Sequence, residues 1–382
     1  MNEPPGEREV RVTTLELFFD LVFVFTITQL TALLAHDPTG EGLLQVVLML
    51  CPIWWMYAGY SWLTNAVPPS SARIRIALLG GMACWLVISL AIPGAFSGDG
   101  EVFGAAYVAV ILIHATVFTR TEVRSAALAI LTVARFNLAG AALILAGVIV
   151  AKEPWEYLLW GAGIAALWAT PRLGQGFRIK PAHFVERHGL VVIVALGESV
   201  VAVGIGASGQ PLTAEMLAVA VLGLALTACL WWSHFADEEE APVRALGGTP
   251  HEDRVRVAIN SFYFAHLLIL LGVIAIAAAL EEAIAHAFDP LEFARALSLA
   301  GGTAIFFAGD FLSRRALSLP SSPWRLAAAA LALATIPLGT EASAMAQLAT
   351  LVALMVLCLA AQHRTSAPEL AAPRGRVSSS QA

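Results

Sequence analysis

The residues of this chain that could do chemistry are a few carboxylates and imidazoles set among apolar neighbours. Glu198 lies in ALGESVVAVG, with Gly197 before it and Ser199 after it. Asp20 sits among Phe, Leu and Val in LELFFDLVFVFTITQL, one helical turn after Glu16 and therefore on the same face. Asp310 lies in FFAGDFLSRR, Glu186 and His188 flank Arg187 in HFVERHGL, and His114 and His266 are the deep histidines. A charged group at the centre of a bilayer costs about 2.5–3.5 kcal/mol on the mildest scale. Such groups are therefore paired, protonated or turned towards water, and those that face water bind or pass cations and protons. Ion or proton handling is the chemistry this set could support. Phosphate, peptide and redox chemistry lack their signatures: the chain contains no GxxxxGK[ST], no HExxH and no CxxC. No cofactor, metal or nucleic-acid partner is expected.

Each candidate also has a plainer explanation. Asp310 precedes Arg314 by four residues, and a local ion pair would account for it. Asp20 could bond polar groups of neighbouring helices and fix their packing. His114 and His266 could be satisfied core histidines. Glu198 resists this treatment best, because no basic residue lies within four positions and the small residues beside it let another helix approach closely. It is the sharpest single candidate.

The elements that must position these residues are membrane helices. Of 382 residues, 58% are hydrophobic and 13% charged, about half the charge of an ordinary soluble domain. The apolar residues fall into runs of about 20, the length that spans a bilayer as helix. Twelve spans can be drawn, near 15–36, 43–63, 74–93, 102–119, 127–151, 155–171, 188–208, 213–234, 256–280, 293–313, 325–339 and 343–362. With these spans every Lys and Arg except Lys152 and Arg295 falls on one side, which the positive-inside rule makes cytoplasmic. Both termini then lie inside. The N-terminus has no basic stretch, short apolar core and cleavage site in succession, so the first span is expected to be retained rather than removed as a signal peptide. Cys51, Cys84, Cys229 and Cys358 all fall in apolar runs and suggest no disulfide framework.

The two halves share landmarks in the same order. Glu16 corresponds to Glu186, Trp54–Trp55 to Trp231–Trp232, and Arg73-x-Arg75 to Arg254-x-Arg256. Six spans per half is an even number, so the halves would be parallel repeats about an axis along the membrane normal, with any site between them. The expected organisation is a leader (1–14), a first six-helix repeat (15–171), a cytoplasmic linker (172–187), a second repeat (188–362) and a disordered tail (363–382). Pro52 and Pro337 fall at non-equivalent places, which argues against a symmetric pair of broken helices as the site.

Two stretches, LELFFDLVFVFTITQLT from Leu15 and HFVERHGLVVIVALGESVVAVG from His183 to Gly204, resemble the bacterial low temperature requirement protein A family. The resemblance implies a multi-pass protein of the bacterial inner membrane connected by name with growth in the cold; it carries no biochemical activity with it. More distantly, Glu16-x-Phe18-x-Asp20-x-Val22-Phe23 with Ile27-Thr28-x-Leu30 resembles the first helix of potassium channels that carry a Phe-Ser-Asp motif and are built from six-helix units. That likeness implies a pore lined by the first helices. Phe19 stands where that family has serine, Thr14 where it has arginine, and Leu190 replaces the second-half aspartate.

These readings converge on an all-α polytopic membrane protein that transports an ion or small solute, as a carrier or a channel. The expected path lies between spans 1 and 7, entered past Glu16, Asp20, Glu186 and His188, with Glu198 and Ser199 at its centre and His266 and Asp310 alongside. The lipid bilayer is its partner, and a homodimer is compatible with the sequence. The rival classes are a membrane scaffold or sensor that transports nothing and, further off, an intramembrane enzyme. The enzyme would need its carboxylates and histidines to converge in one pocket.

Overall fold

A computed structural model describes residues 12–120, 124–150, 154–169, 179–235 and 240–371. Most of the leader, residues 172–178 of the linker, the acidic residues 237–239 and the tail beyond 371 lie outside these. Among the described residues the structure is all helical. The order is α1 (Thr14–His36), α2 (Gly40–Ala66), α3 (Ala72–Ala91) with a short 3-10 turn, α4 (Gly100–Phe118), α5 (Arg124–Val150), α6 (Trp155–Ala169), α7 (Pro181–Ala207), α8 (Ala214–Phe235) and α9 (Ala241–Gly248). There follow α10 (His251–Ile259), a π-turn (Asn260–Ala265), α11 (His266–Ala285), α12 (Phe293–Ala316), α13 (Pro323–Leu333), α14 (Ile336–Glu341) and α15 (Ala344–Ala371).

Ten of these helices are long and apolar enough to cross a membrane, counting α10, the π-turn and α11 as one continuous 35-residue helix. The other two expected spans take a different form. One is α6, 15 residues long up to the edge of the described chain. The other is the pair α13 and α14, interrupted just before Pro337, where proline removes a backbone donor. Pro52, by contrast, is accommodated inside α2, and Tyr107 donates its hydroxyl to the Pro52 carbonyl at 3.0 Å.

Two helix starts are instructive, the first as expected and the second not. Helix α1 opens on a capping box: Thr13 Oγ1 accepts from the Glu16 amide, while Glu16 Oε2 accepts from the Thr13 amide at 2.9 Å and hydroxyl at 2.8 Å. Helix α7 begins at Pro181, about two turns before the expected span, with proline at a first-turn position where its missing N–H costs nothing. The residues 181–187 assigned to a linker are thus helical, and His183 and Arg187 among them are buried. Helix α15 likewise runs on to Ala371, into the expected tail.

Packing follows the same order in each half. In the first, α1 packs on α2 and α3, α3 on α4, α4 on α5, α5 on α6, and α6 returns to α2. In the second, α7 packs on α8 and α11, α11 on α12, α12 on α13, α13 and α14 on α15, and α15 returns to α8. The halves meet where α1 and α2 lie against α7 and α11. An aromatic core fills this seam: Trp54 stacks on Tyr57 at 5.1 Å, Phe23 lies 4.1 Å from Tyr57, and Trp54 Nε1 donates to the Tyr263 carbonyl at 3.0 Å. Helices α11 and α12 cross with their backbones almost touching. A side chain at Gly272 would lie 2.7 Å from the Gly302 carbonyl, and one at Gly302 would lie 2.8 Å from the Gly272 carbonyl. This crossing fixes His266 and Asp310, one on each helix.

Candidate functional site

The seam carries a buried charge cluster at the end of the bundle where α1 and α7 begin. Arg187 on α7 reaches across to α1. Its Nη1 donates to Glu16 Oε1 at 3.1 Å and to Thr64 Oγ1 at 2.6 Å, and its Nη2 donates to Asp20 Oδ1 at 3.0 Å. Tyr57 donates its hydroxyl to the same Asp20 oxygen at 2.7 Å, and the guanidinium lies 5.4 Å from the Phe19 ring centroid. His183 Nε2 meets Glu16 Oε1 at 3.0 Å, while its Nδ1 is 3.3 Å from Asn65 Nδ2. An amide nitrogen only donates and a carboxylate only accepts, so this ring is protonated on Nε2. Asn65 in turn holds Lys180, accepting from its amide at 2.9 Å and donating to its carbonyl at 3.0 Å. Two atoms of the cluster, Asp20 Oδ2 and Arg187 Nε, are buried without a hydrogen-bond partner. The cluster is a clamp between the halves, and its charged side chains are buried.

A second buried cluster forms within the second half. Asp310 on α12 accepts from Arg325 on α13, from Ser233 Oγ at 2.8 Å and from His234 Nδ1 at 2.9 Å, both on α8. Arg325 also donates to the Ser233 carbonyl at 2.8 Å. Arg314, four residues after Asp310, directs its Nε to the Pro320 carbonyl at 2.9 Å. Unlike the clamp, this cluster borders open space. A cavity of about 450 Å³ lies between α7, α8, α9, the π-turn and α12, and Glu186, His234, His266, Asp310 and Arg314 line it together with Gly189, Leu190 and Ile193. It is the polar recess of the described structure. A separate recess of about 90 Å³ beside Trp55, Asn137 and His114 is almost wholly apolar.

The expected site residues are thus divided. Glu186, His266 and Asp310 share the cavity. Glu16 and Asp20 belong to the clamp. His188 and Glu186, two residues apart, point to different sides of α7. Glu186 Oε2 accepts from the Val12 amide at 3.3 Å, whereas His188 is fully buried against Trp54, Phe262 and His266. Glu198 lies about three turns further along α7, where it accepts a hydrogen bond from Thr28 of α1 at 2.7 Å. Spans 1 and 7 are therefore neighbours at mid-helix. Ser199 is buried there, and its Oγ lacks a hydrogen-bond partner. His114 donates or accepts at the Gly59 carbonyl through Nε2, at 2.9 Å, and a carbonyl accepts only, so it donates.

The sequence reading missed Arg187 and Arg325 as partners, having counted both among the charges that orient the protein. It also missed Tyr57, His183, Ser233 and His234. One signal was available: an acid inside an apolar span needs a counter-ion, which makes every arginine near a span end a candidate partner.

Comparison with known proteins adds the following. A family described as bacterial low temperature requirement A protein matches residues 11–361. An uncharacterized protein of Rhizobium meliloti (strain 1021) is 27% identical over 319 residues, covering 79% of this chain and 77% of its own length. No solved structure matches.

Proposed function

The chain belongs to the bacterial low temperature requirement A family, and for it we propose the transport of a small ion across the inner membrane. The observation that carries this reading is the 450 Å³ cavity. A recess of this size that gathers Glu186, His234, His266 and Asp310 among membrane helices exceeds what packing requires. Lipid tails would not fill it, and its polar lining suits water or an ion. The path runs from this cavity along α7, past Leu190 and Ile193, to Glu198 at the contact with Thr28 of α1. Ser199 lies beside it. Glu16 and Asp20 act from the side, holding α1 and α7 in register through Arg187.

The architecture in this proposal is twelve spans in two parallel six-helix repeats. Helix α6 and the broken pair α13–α14 supply the two spans that are short. Two features support the repeat. The packing order is the same in both halves. The separation from Glu16 to Glu186 equals that from Thr28 to Glu198, 170 residues, and Thr28 and Glu198 touch. Equivalent positions meet in this way only beside an axis of pseudo-symmetry. The excess of Lys and Arg supports a cytoplasmic side for the cavity and both termini.

Purified protein reconstituted in liposomes tests the proposal, with H+, Na+ and K+ each driven by a gradient. Flux of at least one ion above empty vesicles is expected, with loss in Glu198→Gln. Unchanged flux in that variant would remove Glu198 from the path. Absence of flux for every ion would overturn transport and favour a scaffold built on the two charge clusters.

A further inference from the structure

Three imidazoles form a row from the cavity wall into the seam, and the path past Leu190 and Ile193 leaves the last of them, His188, unused. His234, on the cavity wall, lies 5.6 Å from His266 between ring centroids, and His266 lies 5.9 Å from His188. Each ring is anchored in the same way. His188 Nδ1 is 2.7 Å from the Phe184 carbonyl, His266 Nδ1 is 2.8 Å from the Ser261 carbonyl, and His234 Nδ1 is 2.9 Å from Asp310 Oδ1. All three acceptors are carbonyl or carboxylate oxygens, so every Nδ1 carries a hydrogen, and in the neutral ring every Nε2 presents a lone pair. The Nε2 of His188 is buried with no partner at all. Leaving a buried acceptor unpaired is destabilising. Three imidazoles with the same tautomer in one row, the last of them unsatisfied, are not explained by packing.

We propose that the ion carried is the proton, and that His234, His266 and His188 take it from the cavity to the seam between the halves, where the α1–α7 contact at Glu198 takes it on. This rests on the transport reading above and specifies its substrate. A proton arriving as hydronium in the cavity bonds to the Nε2 lone pair of His234 or His266 and leaves water behind. The imidazolium then releases its Nε2 proton, directly or through one water, to the Nε2 lone pair of the next ring and returns to its neutral form. Nδ1 keeps its hydrogen throughout, so each ring is a station that loads and unloads through one atom, and none has to flip. Larger ions cannot follow. His234 and His266 line the cavity but His188 does not, and it is enclosed by Phe184, Trp54 and Phe262. Nor is the row a metal site, because among the described residues no three His, Cys, Asp or Glu side chains converge to hold an ion.

The charged groups around the row grade it. His234 faces Asp310 on α12, with Arg325 of α13 and Arg314 of α12 within electrostatic reach. His266 faces the other two imidazoles. His188 faces His266 from α11, the uncharged Trp54 from α2 and Phe262 from the π-turn, and it has Arg187 and His183 on its own helix. The proton therefore loads beside a carboxylate and arrives beside Arg187, the cation that clamps the halves. Its arrival weakens that clamp by like-charge repulsion.

The test uses the full-length protein in liposomes containing a pH-sensitive dye, with a potassium diffusion potential set by valinomycin. Proton flux above empty vesicles is expected from the wild type, falling to the empty-vesicle rate in His266→Gln and His188→Gln. His114→Gln, which alters an imidazole in the other half, keeps the wild-type rate. Gel filtration and a thermal melt show that the variants are folded. Should His266→Gln be misfolded, His266→Asn and His188→Asn replace it. Wild-type proton flux that survives in folded His266 and His188 variants overturns the row. Na+ or K+ flux without proton flux overturns the proton as substrate and leaves the transport reading standing, whereas no flux of any ion overturns both.

Discussion

Both charge clusters pair a buried carboxylate with an arginine on another helix, yet they do different work. At the seam, Arg187 is shared by Glu16 and Asp20 of α1, is braced by Thr64 of α2, and is sealed under Phe19 and Tyr57. In the second half, Asp310 shares Arg325 with Ser233 and keeps one side open to the cavity. The first joins the two halves and excludes water. The second lies within one half and borders the cavity through His234 and Asp310. A buried ion pair stabilises little by existing but costs a great deal to break, because the partner left behind has nowhere to go. How much it costs depends on whether water can reach the orphan, and here the two clusters part company.

The largest expected effect is therefore at the seam. Arg187→Met strands two carboxylates in a dry site and should lower stability by about 3–5 kcal/mol, read as a fall in melting temperature of the purified protein in detergent. Adding Glu16→Gln and Asp20→Asn to that variant should recover most of the loss, since no charge then remains unpaired. Arg325→Met comes next. Asp310 keeps Ser233 and His234 and can draw on cavity water, so a loss of about 2 kcal/mol is expected. Equal losses in the two arginine variants would erase the distinction between a dry clamp and a wet cluster. Tyr57→Phe removes one hydrogen bond to a charged oxygen and should cost about 1.5 kcal/mol. Thr13→Ala breaks the capping box that orients Glu16, at about 1 kcal/mol. Its effect should vanish in the Glu16→Gln, Asp20→Asn, Arg187→Met background if the cap matters by presenting Glu16 to Arg187.

Much of the architecture is written in local composition. The apolar runs and their polar interruptions are long, and a helix in lipid has few alternatives. Glu198, Asp20 and Asp310 were visible as anomalies for the same reason. Their partners were not. Arg187 and Arg325 stand near span ends, where an arginine reads equally as a solvated orienting charge or as a counter-ion. Only the direction of the side chain separates the two. Tyr57 reaches Asp20 from another helix, and nothing in its own surroundings marks it. Pro181 did signal a helix start, yet the mixed polarity of AHFVER hid the fact that His183, Phe184 and Arg187 form one buried face. Landmark matching between the halves had a similar limit. Trp54 is wholly buried at the seam, whereas its counterpart Trp231 is 42% exposed on the outer surface. Equal sequence positions there serve unequal surroundings.

The π-turn at Asn260–Ala265 has a consequence for how the long third helix of the second half serves two neighbours at once. A π-turn holds one residue more than an α-turn, so the segments on either side are out of phase by about 100°. Below it, Val255 and Ile259 face the apolar recess beside α2 and α4; above it, His266 and Gly272 face α7 and α12. A single regular helix could not present both stripes in these directions. Deleting one residue within 260–265 would restore the regular winding and swing His266 away from His188 and His234 without changing any side chain of the row. The extra residue acts as a phase shifter, and the alignment of the imidazoles depends on it as much as on the histidines themselves.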